Sequence, residues 1–172
     1  MKIKFFRLLS IIILFLIFVI FYKGLQKPNI YTPNIGIKKF IPSFEAKMFD
    51  TNEKINSKEI FKNDNFYLVN IWASWCLPCL DEHQFLVNLS LEENIKIIGL
   101  NYKDKKKNAK IFLNKNDNPY DLILSDVDGT IAIEWGAFGV PETFLIYNKK
   151  VIKKIIGPIN ENSFQELKKI IQ

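Results

Sequence analysis

Both cysteines of this chain fall within one pentapeptide, Trp75-Cys76-Leu77-Pro78-Cys79, and its flanks leave few folds open. Directly before it runs Phe66–Trp72 (FYLVNIW), a short β-rich stretch that reads as a buried strand. Directly after it, Glu82, Phe85, Leu86 and Leu89 recur at helical spacing, so residues 77–91 read as a helix. A C-x-x-C at such a strand-to-helix junction is the setting of a redox pair. The unpaired N–H groups and positive potential of a helix start would stabilise a thiolate on Cys76. A two-residue spacer lets the second thiol, one turn on, attack a mixed disulfide formed on the first. Pro78 in the first turn gives up no hydrogen bond. Other readings are weaker. One histidine, His83, and no second cysteine pair argue against zinc. A purely structural disulfide closing so short a loop would gain little entropy. Copper held by the two thiols and His83 is a further rival, although His83 reads better as a helix-surface or cleft residue.

The N-terminus constrains where such chemistry takes place. Leu8–Tyr22 carries no charge, and as a helix these fifteen residues reach about 22 Å. Adding Phe5, Phe6, Gly24 and Leu25, with Arg7 and Lys23 snorkelling, spans a hydrocarbon core of roughly 30 Å. A cleaved signal peptide shares the basic start and apolar middle but wants small residues just beyond. Here the first alanine is Ala46, and Lys23–Ile35 offers only Gly24 and Thr32. Residues 1–25 therefore read as an uncleaved anchor. Lys2, Lys4 and Arg7 against Lys23 and Lys27 favour a cytoplasmic N-terminus, with the bulk of the chain outside the cytoplasm. Residues 26–40, within the proline-rich KPNIYTPNIGIKKFIP, read as an extended tether, which leaves 41–172 for one domain. The formal charge is +6, from 24 Lys and Arg against 18 Asp and Glu. Lys2, Lys4 and Arg7 supply half of that excess, and the remainder is too mild to argue for nucleic acid.

Beyond the C-x-x-C helix, Ile95–Asn101 reads as a second strand. Lys105–Lys115 reads as an amphipathic helix with Asp104 at its N-cap. Thr143–Tyr147 and Val151–Ile156 form a hairpin turning at Asn148–Lys150, and Ser163–Ile171 is a closing helix capped by Asn160 or Asn162. A βαβ unit followed by a hairpin and a helix implies a three-layer α/β sandwich. The stretch Asp126–Gly139 has no evident place. Its Asp126-Val127-Asp128-Gly129-Thr130 looks like the nucleophile motif of haloacid-dehalogenase-type phosphatases. Too little chain follows for that fold, a calcium loop would need more acids, and a turn is the better reading. Gly139-Val140-Pro141-Glu142-Thr143 sits immediately before a strand, where Pro141 either follows a cis bond or begins the strand in trans. A cis bond would free the Val140 backbone to pair with a passing peptide.

Together, Trp75-Cys76-x-Pro-Cys79 and Gly139-Val140-Pro141-Glu142-Thr143-Phe144 resemble thioredoxin-fold proteins. The narrower match is to the CcmG (DsbE) thiol:disulfide interchange proteins of cytochrome c maturation, relatives of the TlpA and ResA reductases. It is carried by Val69–Cys76 (VNIWASWC), Asp81-Glu82-His83, Gly99–Asp104 (GLNYKD), Asn118-Pro119-Tyr120, Glu134-Trp135-Gly136 and Gly157-Pro158. The resemblance implies a thioredoxin-like three-layer sandwich with a central mixed sheet, preceded by one transmembrane helix. It implies Cys76 as the exposed nucleophile, Cys79 as the buried resolving thiol, and Pro141 as a cis-proline facing them. Trp75, Pro78, Val140 and Pro141 would form the substrate face. Asn70 stands where thioredoxins proper place a buried aspartate, so proton transfer would fall to Glu82 or Glu142. Glu82 has independent support, lying three residues after Cys79 on the same helix face. The implied activity is reduction of the disulfide of apocytochrome c, or of a maturation carrier, before haem attachment. Electrons would come from a membrane thiol transporter of the CcdA or DsbD type. No cofactor beyond the Cys76–Cys79 disulfide and no metal are implied, in a single-pass inner-membrane protein whose domain faces the periplasm. The alternatives are another anchored reductase of the TlpA or ResA type, or a copper-delivery protein.

Overall fold

In the computed structural model, which describes residues 2–26, 40–62 and 65–172, the N-terminal segment and the rest of the chain are two separate units. The first contains α1 (Lys2–Gln26), within which Phe6–Lys23 is long and apolar enough to cross a membrane. At about 1.5 Å per residue, its 25 residues exceed a hydrocarbon core of roughly 30 Å. Most of the tether expected over residues 26–40, from 27 to 39, lies outside the described residues.

The second unit is built on a seven-stranded mixed sheet. In chain order its elements are β1 (Glu45–Met48), β2 (Lys54–Asn56), α2 (Ser57–Ile60), β3 (Phe66–Trp72), α3 (Leu77–Leu89), β4 (Ile95–Tyr102) and α4 (Lys106–Asn116). They continue with β5 (Leu122–Asp126), α5 (Thr130–Glu134), β6 (Glu142–Tyr147), β7 (Lys150–Ile156) and α6 (Glu161–Ile171). The strand order is β2-β1-β5-β4-β3-β6-β7; β3, β4 and β5 run parallel, and β6 lies antiparallel against β3. Alternation along β3 sorts its side chains onto two faces. Leu68 and Trp72 pack with Leu86 and Leu89 of α3, Leu113 of α4 and Leu167 of α6. Tyr67, Val69 and Ile71 pack with Phe61, with Ile60 of α2 and with Ile131 of α5, beside Trp135. Two helical layers thus enclose one sheet, the three-layer sandwich expected. The central strand is buried on both sides, which accounts for its nearly continuous apolar run, broken only by Asn70.

Three local differences from the sequence reading have plain causes. The hairpin β1–β2 was not expected: its strands hold four and three residues and present no alternating run long enough to register. The unplaced segment, 126–139, begins at the last residue of the parallel strand β5 and supplies α5. The buried Asp126 carboxylate accepts the Ile131 and Ala132 N–H groups at 3.1 and 2.9 Å, with Gly129 at φ +81° making the turn. Asp104 does not cap α4. Lys105 occupies the N-cap position without a side-chain hydrogen bond, because the Asp104 carboxylate is directed at Ser74 and Asn101. The cap of α6 is Asn160, closed by a reciprocal bond with Ser163.

Candidate active site

The parallel strand β3 ends at Trp72, and the chain turns through Ala73, Ser74 and Trp75 to deliver Cys76 to the N-cap of α3. There Cys76 Sγ accepts the Cys79 N–H at 3.1 Å. The two cysteines form a disulfide with their Cα atoms 5.3 Å apart, and Pro78 lies in the first turn of the helix. Cys76 was expected to be exposed. In this disulfide form it keeps 5% of its surface against 2% for Cys79, because the bond turns both sulfurs into the apolar cluster of Trp72, Leu86 and Leu145. What separates the two is their place on the helix: Cys76 caps it, and Cys79 lies within it. Exposed Trp75 and Leu77 flank the pair.

The approach to Cys76 is held from the loop after β4. Asp104 Oδ2 accepts the Ser74 N–H at 2.6 Å, and Oδ1 accepts the Ser74 hydroxyl at 2.8 Å. The Trp75 indole N–H donates to Lys103 O at 3.1 Å, so the Trp75 ring is tethered while more than half exposed. The opposite wall comes from the loop before β6. The Val140–Pro141 bond is cis, and the β3–β6 register, which pairs Ile71 with Glu142, brings Pro141 level with the end of β3. Pro141 is buried, its carbonyl accepts the Gly157 N–H at 3.0 Å, and half-buried Val140 packs on the cluster that contains both cysteines.

The two acids expected to move protons have different partners. Glu82 is fully buried; Oε1 accepts from Asn70 Nδ2 at 2.7 Å and Oε2 from the Ile159 N–H at 2.7 Å. Burial pushes its carboxyl up to about 7, against the pull of the Ile159 and Asn70 donors. It therefore titrates near neutrality one helical turn after Cys79. Glu142 is buried as well, but its carboxylate is committed. Oε1 accepts the Phe138 and Gly139 N–H groups at 2.6 and 3.2 Å, and Oε2 ion-pairs with Lys154 Nζ at 2.8 Å. That pair is a close charge contact rather than an aligned hydrogen bond, and Nζ also donates to Gly136 O at 2.9 Å. Glu142 thus ties the loop that carries Pro141 to β7.

His83 is buried rather than at the surface. Its Nε2 lies 2.9 Å from Asp117 O and its ring stands edge-on to Phe112, so the carbonyl holds the ring as the Nε2–H tautomer. Among the described residues no group of three or more His, Cys, Asp or Glu could hold a metal ion. Sequence reasoning missed Tyr120, whose buried hydroxyl donates to Asn70 Oδ1 at 2.9 Å, and Lys154. Tyr120 stood out in the sequence only as part of the Asn118-Pro119-Tyr120 motif, with no role attached, and Lys154 only as a strand lysine; the fold brings both to the site.

Comparison with known proteins agrees with this geometry. The family model described as Redoxin matches residues 37–171. The thiol:disulfide interchange protein DsbE of Vibrio cholerae is 38% identical over 134 residues, 77% of this chain and 72% of that protein. DsbE of Escherichia coli K12 is 34% identical over 145 residues, 84% and 77% respectively. Among solved structures, a DsbE-type thiol:disulfide interchange protein from Chlorobium tepidum superposes with a TM-score of 0.67 at 20% identity, covering 78% of this chain and 94% of that one. The fold is thioredoxin-like.

Proposed function

Because the chain belongs to the Redoxin family, and within it to the DsbE-type thiol:disulfide interchange proteins, it is a thiol-disulfide oxidoreductase, and we propose that it works as a membrane-anchored reductase of apocytochrome c or of a maturation carrier. The observation that carries this reading is the Cys76–Cys79 disulfide at the N-cap of α3, with a near-neutral buried acid one turn further on.

In the reduced protein, the Cys76 thiolate attacks one sulfur of the target disulfide. A mixed disulfide forms and the other target sulfur leaves as thiolate. Glu82 takes the proton of the Cys79 thiol, and the Cys79 thiolate then attacks Cys76 Sγ. The second target sulfur leaves as a thiolate and the Cys76–Cys79 bond closes; one target thiolate takes up the proton that Glu82 releases and the other a proton from water, which gives the dithiol. Two electrons pass from the cysteine pair to the target, and the redox group is that pair alone, without an added cofactor. The helix N-terminus favours the thiolate at Cys76, and burial of Glu82 keeps a proton acceptor poised near neutral pH. Trp75, Pro78, Val140 and Pro141 form the face on which the target segment lies, and the free backbone of Val140 pairs with it. A membrane thiol transporter of the CcdA or DsbD type returns the protein to its dithiol form.

Residues 1–25 are the anchor, residues 26–40 the tether and residues 41–172 the redox domain, with the N-terminus cytoplasmic and the domain in the periplasm. The apolar span of α1 supports the anchor, and the basic residues before it support the orientation. The reading is tested by incubating the reduced full chain, in detergent, with an oxidised apocytochrome carrying a disulfide in its C-x-x-C-H segment. Stoichiometric loss of that disulfide, matched by formation of Cys76–Cys79, is the expected result. A target left oxidised while an unrelated disulfide is reduced would reassign the enzyme to another substrate.

A further inference from the structure

We propose that Tyr120 is a positioning residue of the redox site: its phenol proton locks the Asn70 amide so that an N–H, not the carbonyl oxygen, faces the Glu82 carboxylate. One buried amide makes three polar contacts. Asn70 Nδ2 donates to Glu82 Oε1 at 2.7 Å and to Thr143 Oγ1 at 2.9 Å, while Oδ1 accepts from Tyr120 at 2.9 Å. Asn70 is fully buried, so both amide protons and the carbonyl are satisfied inside the protein. Turning the amide over would set its carbonyl lone pairs against those of an ionised Glu82. It would also leave the Tyr120 proton without an acceptor among the described residues. A phenol that keeps its proton throughout the working pH range always has that proton to place, and Asn70 Oδ1 is the acceptor it finds here. Tyr120 meets that condition, since burial first and the Glu82 charge second raise it well above its ordinary range.

The Tyr120 ring is itself held by neighbours. It stacks on Trp72 with centroids 5.4 Å apart and planes 17° from parallel, and its backbone N–H is accepted by Asn118 Oδ1 at 3.1 Å. Gly99 supplies the room. A Cβ there would meet the Tyr120 ring at 2.9 Å and Trp72 Nε1 at 2.8 Å. The arrangement therefore runs from Gly99 on β4, through Tyr120 ahead of β5 and Asn70 on β3, to Glu82 on α3. The remaining groups around Glu82 are the Ile159 N–H ahead of α6 and Cys79 on its own helix, while Thr143 on β6 faces Asn70. Glu82 belongs to no ion pair among the described residues. With no cation to hold its charge, burial and the Ile159 and Asn70 donors set its proton affinity, and of the two donors the Asn70 amide is the one that can turn over.

Removing the phenol oxygen lets the amide turn, and a turned amide accepts from protonated Glu82. Tyr120→Phe therefore strengthens proton binding at Glu82 by roughly threefold to tenfold, moving its midpoint up by about half to one pH unit. The test follows the Glu82 carboxyl carbon by NMR in the oxidised full chain in detergent, parent against Tyr120→Phe. An upward move of that size supports the lock; an unchanged midpoint overturns it. A second measurement needs no variant: the Asn70 side-chain 15N resonance of the parent should titrate together with Glu82, and an amide indifferent to pH across that range overturns the proposal. The proposal rests on the reading of Glu82 as the proton acceptor of the cysteine pair, but the two fail separately. The carboxyl titration judges the lock, whereas the pH dependence of Cys79 alkylation in the reduced protein judges the acceptor role.

Discussion

Asp104 and Ser74 are joined twice, the carboxylate accepting both the backbone N–H and the hydroxyl of Ser74 at 2.6 and 2.8 Å. Thirty residues separate them, so the loop after β4 grips the turn that delivers Cys76 to its helix. The same carboxylate accepts from Asn101 Nδ2 at 3.0 Å and the Lys105 N–H at 2.7 Å, which leaves it little freedom. Asp104→Ala should lower stability by about 2 kcal/mol, the scale of hydrogen bonds to a charged group. It should also expose the disulfide to a small reductant, with the rate of dithiothreitol reduction rising severalfold. Urea unfolding and the reduction time course measure the two effects. An unchanged reduction rate would show that the turn is held by other contacts.

The division of labour between the cysteines is read from trapped complexes. Cys76 caps the helix and Cys79 lies within it, the placement behind the proposal that Cys76 is the attacking thiolate. Cells carrying Cys79→Ala should accumulate mixed disulfides visible on non-reducing gels, and cells carrying Cys76→Ala should accumulate none. Equal trapping by both variants would contradict the assignment.

Gly99 and Gly139 make a matched pair for a stability measurement. A methyl group at Gly99 collides with two aromatic rings, whereas one at Gly139 meets nothing within 4 Å. Gly99→Ala should cost about 1–3 kcal/mol as an overpacked core position. Gly139→Ala should stay within about 0.5 kcal/mol of the parent, as expected of a surface change. Comparable losses at both positions would count against this account of the packing.

The membrane reading is checked by fractionation. The full chain should remain with membranes after alkaline carbonate washing and should begin at its own N-terminal residues, because no small-residue cleavage site follows Tyr22. N-terminal sequencing that starts between residues 25 and 35 would identify α1 as a removed signal instead.

Legibility in the sequence followed the strength of the local signal. β3 and α3 were readable because one is a seven-residue apolar run and the other begins at a proline-marked cap, and their junction holds both cysteines. β5 was not readable. It has five residues, ends in Ser125 and Asp126, and becomes a strand through its parallel partner β4. Asp104 shows a limit of a different kind. Its place before a helix suits a cap, yet a carboxylate that can reach Ser74 across the fold bonds there instead, and no local rule sees that competitor. Glu82 and Glu142 look alike in sequence, each a glutamate beside a motif residue. The fold gives Glu142 the Lys154 ammonium and Glu82 only neutral donors, and burial raises the Glu82 carboxyl to about 7.

The buried acid makes stability depend on pH in a direction opposite to that of a salt-bridged carboxylate. Glu82 titrates at about 7 in the folded chain against 4.5 for a free side chain, so between those values the folded state holds a proton that the unfolded state has released. Folding is then favoured at the acid end. The contribution is fully present below about 4.5, falls as pH rises through 7, and is absent above it. Its size follows from the displacement, on the order of 3 kcal/mol. Replacing Glu82 by Gln removes the titration and leaves the side-chain shape. The amide group imposes a constant cost at all pH values, since one of the Asn70 and Ile159 donors must then face an N–H₂. The informative quantity is therefore the difference in unfolding free energy between Glu82→Gln and the parent, both oxidised, followed across pH. It should shrink as pH rises from about 4.5 to 7 and be flat outside that window. Asp126 also titrates above its usual range through burial, but it is present in both proteins and cancels in the difference. A difference that stays constant from pH 4 to 8 would mean that Glu82 is ionised throughout. A carboxylate of ordinary strength would then be too weak a base to draw the proton from the Cys79 thiol efficiently near neutral pH.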